Sequence, residues 1–307
     1  MTGTGRKQIN RYELLLAAVI IARATSLLIV KASLSGFSIF NLMTLRFAIA
    51  FVCIIPFVIR SAAGINKKTL LHGMLLGIIF FAVIAVELLA LRMTGSASEV
   101  SFLENTSIII VPVATAFLRR RRPEVKVIAA ALTAMCGVGF LLMKDGHIEL
   151  TAGTMLCILT AVLYSAYVII TDRVSKQDDP LVLGTVQLGA VAVMSGAAST
   201  LMETPRLPQN SGEWIGLILI AVICSSIGTA LQPVAQSRVT AEKSGLFCAL
   251  NPLTACSLGW IFLGEWQGMS GVAGAVLILA AILISGMNKG ENQALQATAS
   301  YYEIFSE

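Results

Sequence analysis

Ten apolar stretches of about twenty residues, separated by short charged or Gly/Pro/Asn-containing breaks, govern every other reading of this 307-residue chain. They fall at 12–31, 38–59, 70–92, 97–118, 125–143, 151–171, 180–201, 214–235, 244–263 and 268–287. At about 1.5 Å of rise per residue, each is long enough for one helix to cross a hydrocarbon layer. The sequence therefore predicts an all-α polytopic membrane protein with ten transmembrane helices. Composition agrees, with 56% hydrophobic and only 13% charged residues and a mean hydropathy of +0.83. Globular domains carry about a quarter charged residues. A soluble enzyme, a disordered chain, a disulfide scaffold and a nucleic-acid binder are all disfavoured. The first run, Leu14 to Val30, lacks a small-residue cleavage site and reads as a retained first helix rather than a signal peptide.

The breaks carry the basic residues, and their distribution orients the chain. With a cytoplasmic N-terminus, the inner loops and ends hold Arg6, Lys7, Arg11, Arg60, Lys67, Lys68, Arg119 to Arg122, Lys126, Arg173, Lys176, Arg238, Lys243 and Lys289. The outer loops hold Lys31, Arg92, Lys144 and Arg206. That asymmetry predicts cytoplasmic N- and C-termini and accounts for most of the +5 net charge without an anionic partner. Arg23 and Arg46 are left inside spans. The six cysteines, Cys53, Cys136, Cys157, Cys224, Cys248 and Cys256, all lie in apolar runs without metal-ligand spacing and read as small buried hydrophobes.

Shifting the chain on itself by about 141–144 residues superposes similar features across five helices. Arg23-Ala24-Thr25-Ser26 meets Tyr164-Ser165-Ala166-Tyr167, Gly73 meets Gly216, and Ala130 and Gly137 meet Gly274 and Ala281. Five spans per half force the second half to enter the membrane from the opposite side. The expected organisation is thus a short N-terminus (1–11), a five-helix repeat (12–143), a second, inverted five-helix repeat (151–287) and a polar tail (288–307). Inverted repeats of this kind build secondary transporters, with the substrate site near the midplane between them.

Several segments in order resemble one known family. They are Met43-Thr44-Leu45-Arg46-Phe47 in the second span, Ser96-Ala97-Ser98 at the start of the fourth, Asn251-Pro252 followed by Leu263-Gly264-Glu265 in the ninth, and the Gly-rich last span with Gly271, Gly274 and Gly286. From about residue 12 to 288 the chain resembles the EamA family of drug/metabolite transporters. The resemblance implies a carrier of small organic metabolites, often an exporter of amino acids or related compounds, in the bacterial cytoplasmic (inner) membrane. The chain departs from the family pattern at Arg23, where an aromatic is common, and at Arg119–Arg122, where a Leu-Gly-Glu ending would be expected.

Charged side chains within a span cost several kcal/mol unless paired or wetted, so each is a candidate for function. Counting rise from the outer helix ends places Arg23 and Arg46 roughly 12 Å deep, Glu104 roughly 10 Å and Glu87 roughly 8 Å. Four helices thus put two cations and two anions in one layer, with Glu99 near a span entrance. Such a layer can be a structural cluster that holds the first four helices together, or a substrate site or outer gate. In the second case Arg23 or Arg46 would face a carboxylate, Glu87 or Glu104 an ammonium, and a carboxylate could carry a coupling proton.

The second half offers neutral polar stripes instead: Thr160, Tyr164, Tyr167 and Thr171 in the sixth span, and Ser225, Thr229, Gln232 or Pro233, and Gln236 in the eighth. Either stripe can line a cavity or bond its own backbone. Asn105, Gln187 and Asn251 are harder to hide and are expected to line a cavity, while Trp260 suits packing and a substrate platform equally. Pro112, Pro233 and Pro252 are expected to kink their helices. Gly73 and Gly77 form a small-xxx-small face for close helix contact, within one chain or across a homodimer. No HExxH, GxSxG or Walker A pattern is present, and His72 and His147 lie near span ends. A carrier is therefore preferred to an intramembrane enzyme, a passive channel or an ATP-driven pump, with a small-molecule substrate and the bilayer as partners and no metal or organic cofactor.

Overall fold

The computed structural model describes residues 11–34, 36–59, 66–118, 120, 125–141, 143–144, 147–148, 150–239, 268–286 and eight positions between 244 and 264. Its elements are helices α1 (Arg11–Leu34), α2 (Ile39–Ile59), α3 (Lys67–Thr94), α4 (Ala97–Glu104), α5 (Ser107–Leu118), α6 (Val125–Leu141), α7 (Ala152–Val174), α8 (Pro180–Met202), α9 (Ser211–Leu219), α10 (Gln232–Gln236) and α11 (Gly268–Gly286). A π-helical segment, Ile220–Thr229, joins α9 to Ala230 and the turn at Leu231. Two-residue strands Met143–Lys144 and His147–Ile148 pair antiparallel in the loop between α6 and α7, the one departure from an all-helical chain among the described residues.

Seven runs are long and apolar enough to cross a membrane: Arg11–Lys31, Ile39–Val58, Lys67–Thr94, Glu99–Leu118, Ala152–Val174, Pro180–Met202 and Ser211–Gln236. The shorter apolar helices Ile128–Gly137 and Gly268–Ala281 occupy the expected fifth and tenth spans. Most of the ninth span, together with Pro252, Trp260, Cys248, Cys256 and the polar tail, lies outside the described residues. The outward surface is strongly apolar, with Leu71, Phe117, Val193 and Leu201 all exposed. With seven such helices the chain is a multi-pass membrane protein, since hydrocarbon rather than water suits that surface.

Side-chain caps define where the helices begin. Asn66, Ser96, Thr151, Asp179 and Asn210 each accept a backbone N–H of the following turn, and Pro180 fills the first position of α8, where no N–H is required. Helix α3 ends at Gly95, whose φ of 68° places it in the left-handed region that glycine enters freely.

Packing joins the two halves of the sequence. Helix α2 lies on α8, α3 on α7 and α8, α1 on the π-helical segment, and α6 on α11. Small residues permit the closest of these approaches. A Cβ on Gly184 of α8 would lie 2.1 Å from the Ala230 carbonyl oxygen, and one on Gly77 would lie 2.5 Å from Ala190 Cβ. The Gly73/Gly77 face is therefore an internal contact with α8, made against Val186 and Ala190.

Two spans depart from the continuous helices that apolarity predicts. The fourth is broken at Asn105 and Thr106, because Asn105 Nδ2 donates to Ser101 O (2.6 Å) and Thr106 Oγ1 donates to Leu103 O (2.8 Å), closing the last turn of α4 on itself. Pro112, the expected kink, lies within α5 beyond that break. In the eighth span the interruption is at Leu231, and Pro233 follows in the first turn of α10, where its missing N–H costs least. Cys157 and Cys224 are buried as expected, but Cys53 and Cys136 face outward.

Candidate functional site

Three first-half helices bring their ionisable groups to one point. Arg23 of α1 donates from Nη2 to Glu87 Oε2 of α3 at 3.4 Å and to Glu104 Oε1 of α4. Glu87 is 3% and Glu104 1% exposed, and Glu104 stands in the last turn of α4, just before the Asn105 break. The guanidinium lies face-on to an aromatic wall, with Cζ 4.0 Å from the Tyr164 ring centroid and 5.9 Å from that of Phe80. Phe80 and Tyr167 lie 4.9 Å apart and Tyr164 and Tyr167 5.9 Å apart, so α3 and α7 together build that wall.

Around the charges runs a shell of neutral polar groups. Tyr167 Oη donates to Gln187 Oε1 (3.2 Å) or accepts from Gln187 Nε2 (3.0 Å), and Gln232 Nε2 donates to Tyr164 Oη (3.3 Å). Gln187 and Gln232 are buried, and Asn251 lies beside Glu104. Arg46 of α2 is also buried. Its Nε donates to Ser225 of the π-helical segment and its Nη2 to Ser26 of α1 at 3.2 Å, while Phe47 lies 5.0 Å beneath Cζ. The next serine, Ser226, donates to Ala50 O at 3.1 Å, so consecutive residues of the π-helical segment bond α2 at positions four apart. Inserted π turns recur at functional sites.

Polar contacts also tie the halves together at each end of the bundle. At the end rich in lysine and arginine, Thr69 Oγ1 and His72 Nδ1 of α3 donate to Asp178, at 2.7 and 2.6 Å, in the loop before α8. Burial pushes the Asp178 carboxyl up, but the His72 and Thr69 hydrogen bonds, with the charges of His72 and Lys68, together hold it below the usual carboxylate range. At the other end, Glu203 accepts the Phe40 and Asn41 N–H groups (3.1 and 2.8 Å) at the start of α2. There Arg206 donates to Gly36 O and pairs with Glu213 at 3.1 Å while stacking 4.0 Å over Phe37. A cavity of about 650 Å³ opens at this end, lined by Ser38, Arg92, Leu201, Met202, Glu203 and Thr204, and none of the buried charges lines it.

Residues 151–287 match the model of the EamA-like transporter family. An uncharacterized transporter of Archaeoglobus fulgidus is 23% identical over 78% of this chain and 84% of its own length. The threonine/homoserine exporter RhtA of Salmonella typhimurium is 27% identical over 57% of this chain and 58% of its own. A solved crystal structure superposes with a TM-score of 0.71 at 19% identity, covering 90% of this chain and 96% of that one. Over residues 151–287 the chain is thus similar to the EamA-like transporter family, and these relatives are named transporters.

The EamA-like region and the charge layer are complementary parts of the sequence. Tyr164, Tyr167, Gln187, Gln232, Asn251 and Ser225 lie within the matched residues, whereas Arg23, Arg46, Glu87 and Glu104 precede them. The fold brings Arg23, Glu87, Glu104, Tyr164, Tyr167, Gln187 and Gln232 into one connected network. Asn105 is buried but bonds its own helix, and Thr160 likewise donates to Leu156 O. Phe80, Phe47, Ser26 and Ser225 complete the site, and sequence reading left the first three out because apolar rings and small hydroxyls in a span look like packing.

Proposed function

We propose that this EamA-type chain is a secondary transporter that exports small organic metabolites, amino acids or related compounds, across the bacterial cytoplasmic membrane by alternating access. In this reading ten spans form two inverted five-helix repeats, 12–143 and 151–287, with both termini cytoplasmic. The buried layer of Arg23, Arg46, Glu87 and Glu104 carries the proposal. Four ionisable groups on four helices cost too much in a membrane to serve packing alone, and they lie where the two halves of the sequence meet. Tyr164, Tyr167, Gln187, Gln232 and Asn251 form the neutral wall opposite. The export of threonine and homoserine by a relative supports amino acids as the substrate class. A proton taken by a buried glutamate is the proposed coupling ion. The protein works as a carrier without a cofactor, as a monomer or a homodimer.

Purified protein in lipid vesicles, loaded with unlabelled amino acid and given labelled amino acid outside, tests this reading. Saturable uptake with counterflow is expected. Leak without saturation, or covalent turnover without flux, would replace the carrier with a channel or an enzyme.

A further inference from the structure

The two buried guanidiniums have unlike surroundings. Arg23 is paired with two acidic side chains, Glu87 and Glu104, so its charge is compensated where it lies. Arg46, 5% exposed, meets only neutral groups among the described residues: the hydroxyls of Ser225 and Ser26 and the Phe47 ring. Hydroxyls orient a guanidinium but do not neutralise it, and an uncompensated buried charge is strongly unfavourable. Arg46 also lies within electrostatic reach of Glu87 and Arg23, so the paired and the unpaired guanidinium share one low-dielectric layer. Glu104 is buried beside Glu87 and Asn251.

From this asymmetry we infer that the layer is a polarised receptor for a zwitterion. Arg46, positioned by Ser225 and Ser26, takes the substrate carboxylate. The Glu87/Glu104 pair takes the ammonium, and Arg23 is the fixed counter-ion of that pair rather than a carboxylate ligand. The inference rests on the transporter reading and adds to it which arginine binds the anion and which way the substrate lies. Ser225 is the positioning residue that the second half supplies: it fixes Arg46 Nε across the interface between halves. Among the described residues the bonds run through Nε and Nη2, and Nη1 is assigned to the ligand.

The test is counterflow of labelled L-threonine into vesicles holding the full-length protein. The competitors are unlabelled L-threonine, 1-amino-2-propanol, which lacks the carboxylate, and 3-hydroxybutyrate, which lacks the ammonium. The native protein is expected to prefer threonine to either by at least about tenfold, the worth of one charge-assisted contact. In Arg46→Ala the half-saturating threonine concentration rises at least about tenfold, while that of 1-amino-2-propanol changes less than about threefold. Arg46→Lys recovers part of the discrimination, and Ser225→Ala, which leaves every charge in place, loses an intermediate part. If Arg46→Ala does not insert, these last two variants decide. Unchanged discrimination in them, or in Arg46→Ala, would overturn the assignment while leaving the carrier intact. Absence of saturable flux in the native protein would remove the carrier reading and this inference together.

Discussion

Replacing Arg23 by methionine removes the guanidinium from Glu87 and Glu104 while keeping an unbranched apolar stem against Tyr164 and Phe80. Two carboxylates, 3% and 1% exposed, are then left without their cation and facing each other. Breaking a buried ion pair by removing one partner costs about 3–5 kcal/mol, because the remaining charge stays desolvated. Loss of the guanidinium–ring contact at 4.0 Å adds about 1 kcal/mol, part of which methionine packing offsets. A loss of about 4 kcal/mol is therefore expected for Arg23→Met. In Arg23→Met/Glu104→Gln one of the stranded charges is gone, and about half of that loss should return. Reversible unfolding in mixed micelles, titrated with a denaturing detergent and followed by helical circular dichroism, measures both. A single variant within about 1 kcal/mol of the native protein, or a double variant as unstable as the sum of its singles, would refute a charge-balanced core around Arg23.

Three further outcomes follow from the packing and the two ends. Gly184→Ala places a methyl group 2.1 Å from the Ala230 carbonyl oxygen, so α8 must move off the helix run that carries Gln232; a loss of at least about 2 kcal/mol is expected in the same unfolding assay. The Asp178 carboxyl is held below its ordinary value, so its bonds to Thr69 and His72 stabilise the fold above the normal carboxylate range, near pH 4, and that contribution fades as pH falls through the lowered value. Asp178→Asn should therefore be less stable than the native protein at pH 7, with a gap that narrows on acidification in thermal scans. Glu203→Gln keeps the side-chain length but removes the charge from the two N–H groups at the start of α2; a cost of about 1 kcal/mol is expected, with Glu203→Ala costing more.

Apolar run length was enough to locate the seven long membrane-spanning runs, and counting rise along them places Arg23, Glu87 and Glu104 at similar expected depths. Depth is readable because rise per residue is fixed. Pairing was not, because it depends on helix rotation: Arg23 and Arg46 have the same expected depth, yet one turns to two glutamates and the other to Ser225 and Ser26. The break after Glu104 arises from local bonds of Asn105 and Thr106, residues equally able to face a cavity, whereas the missing N–H of proline points to Pro112 instead. Likewise, the π-helical stretch has an ordinary apolar composition, and His72 stood near a span end with no sequence neighbour to mark Asp178, 106 residues away, as its partner. The signal that was present for that pair is chemical: an acid and an imidazole, each beside a helix start, at the same side of the membrane by the positive-inside pattern.

The buried charge layer as the transport site is tested most directly by threonine counterflow through Arg46→Ala and Glu104→Gln, reconstituted at the same inserted amount as the native protein. Rates below about one tenth of native are expected for both, because each variant removes a charge-assisted contact to the substrate. Native rates in both variants would contradict the assignment of the site.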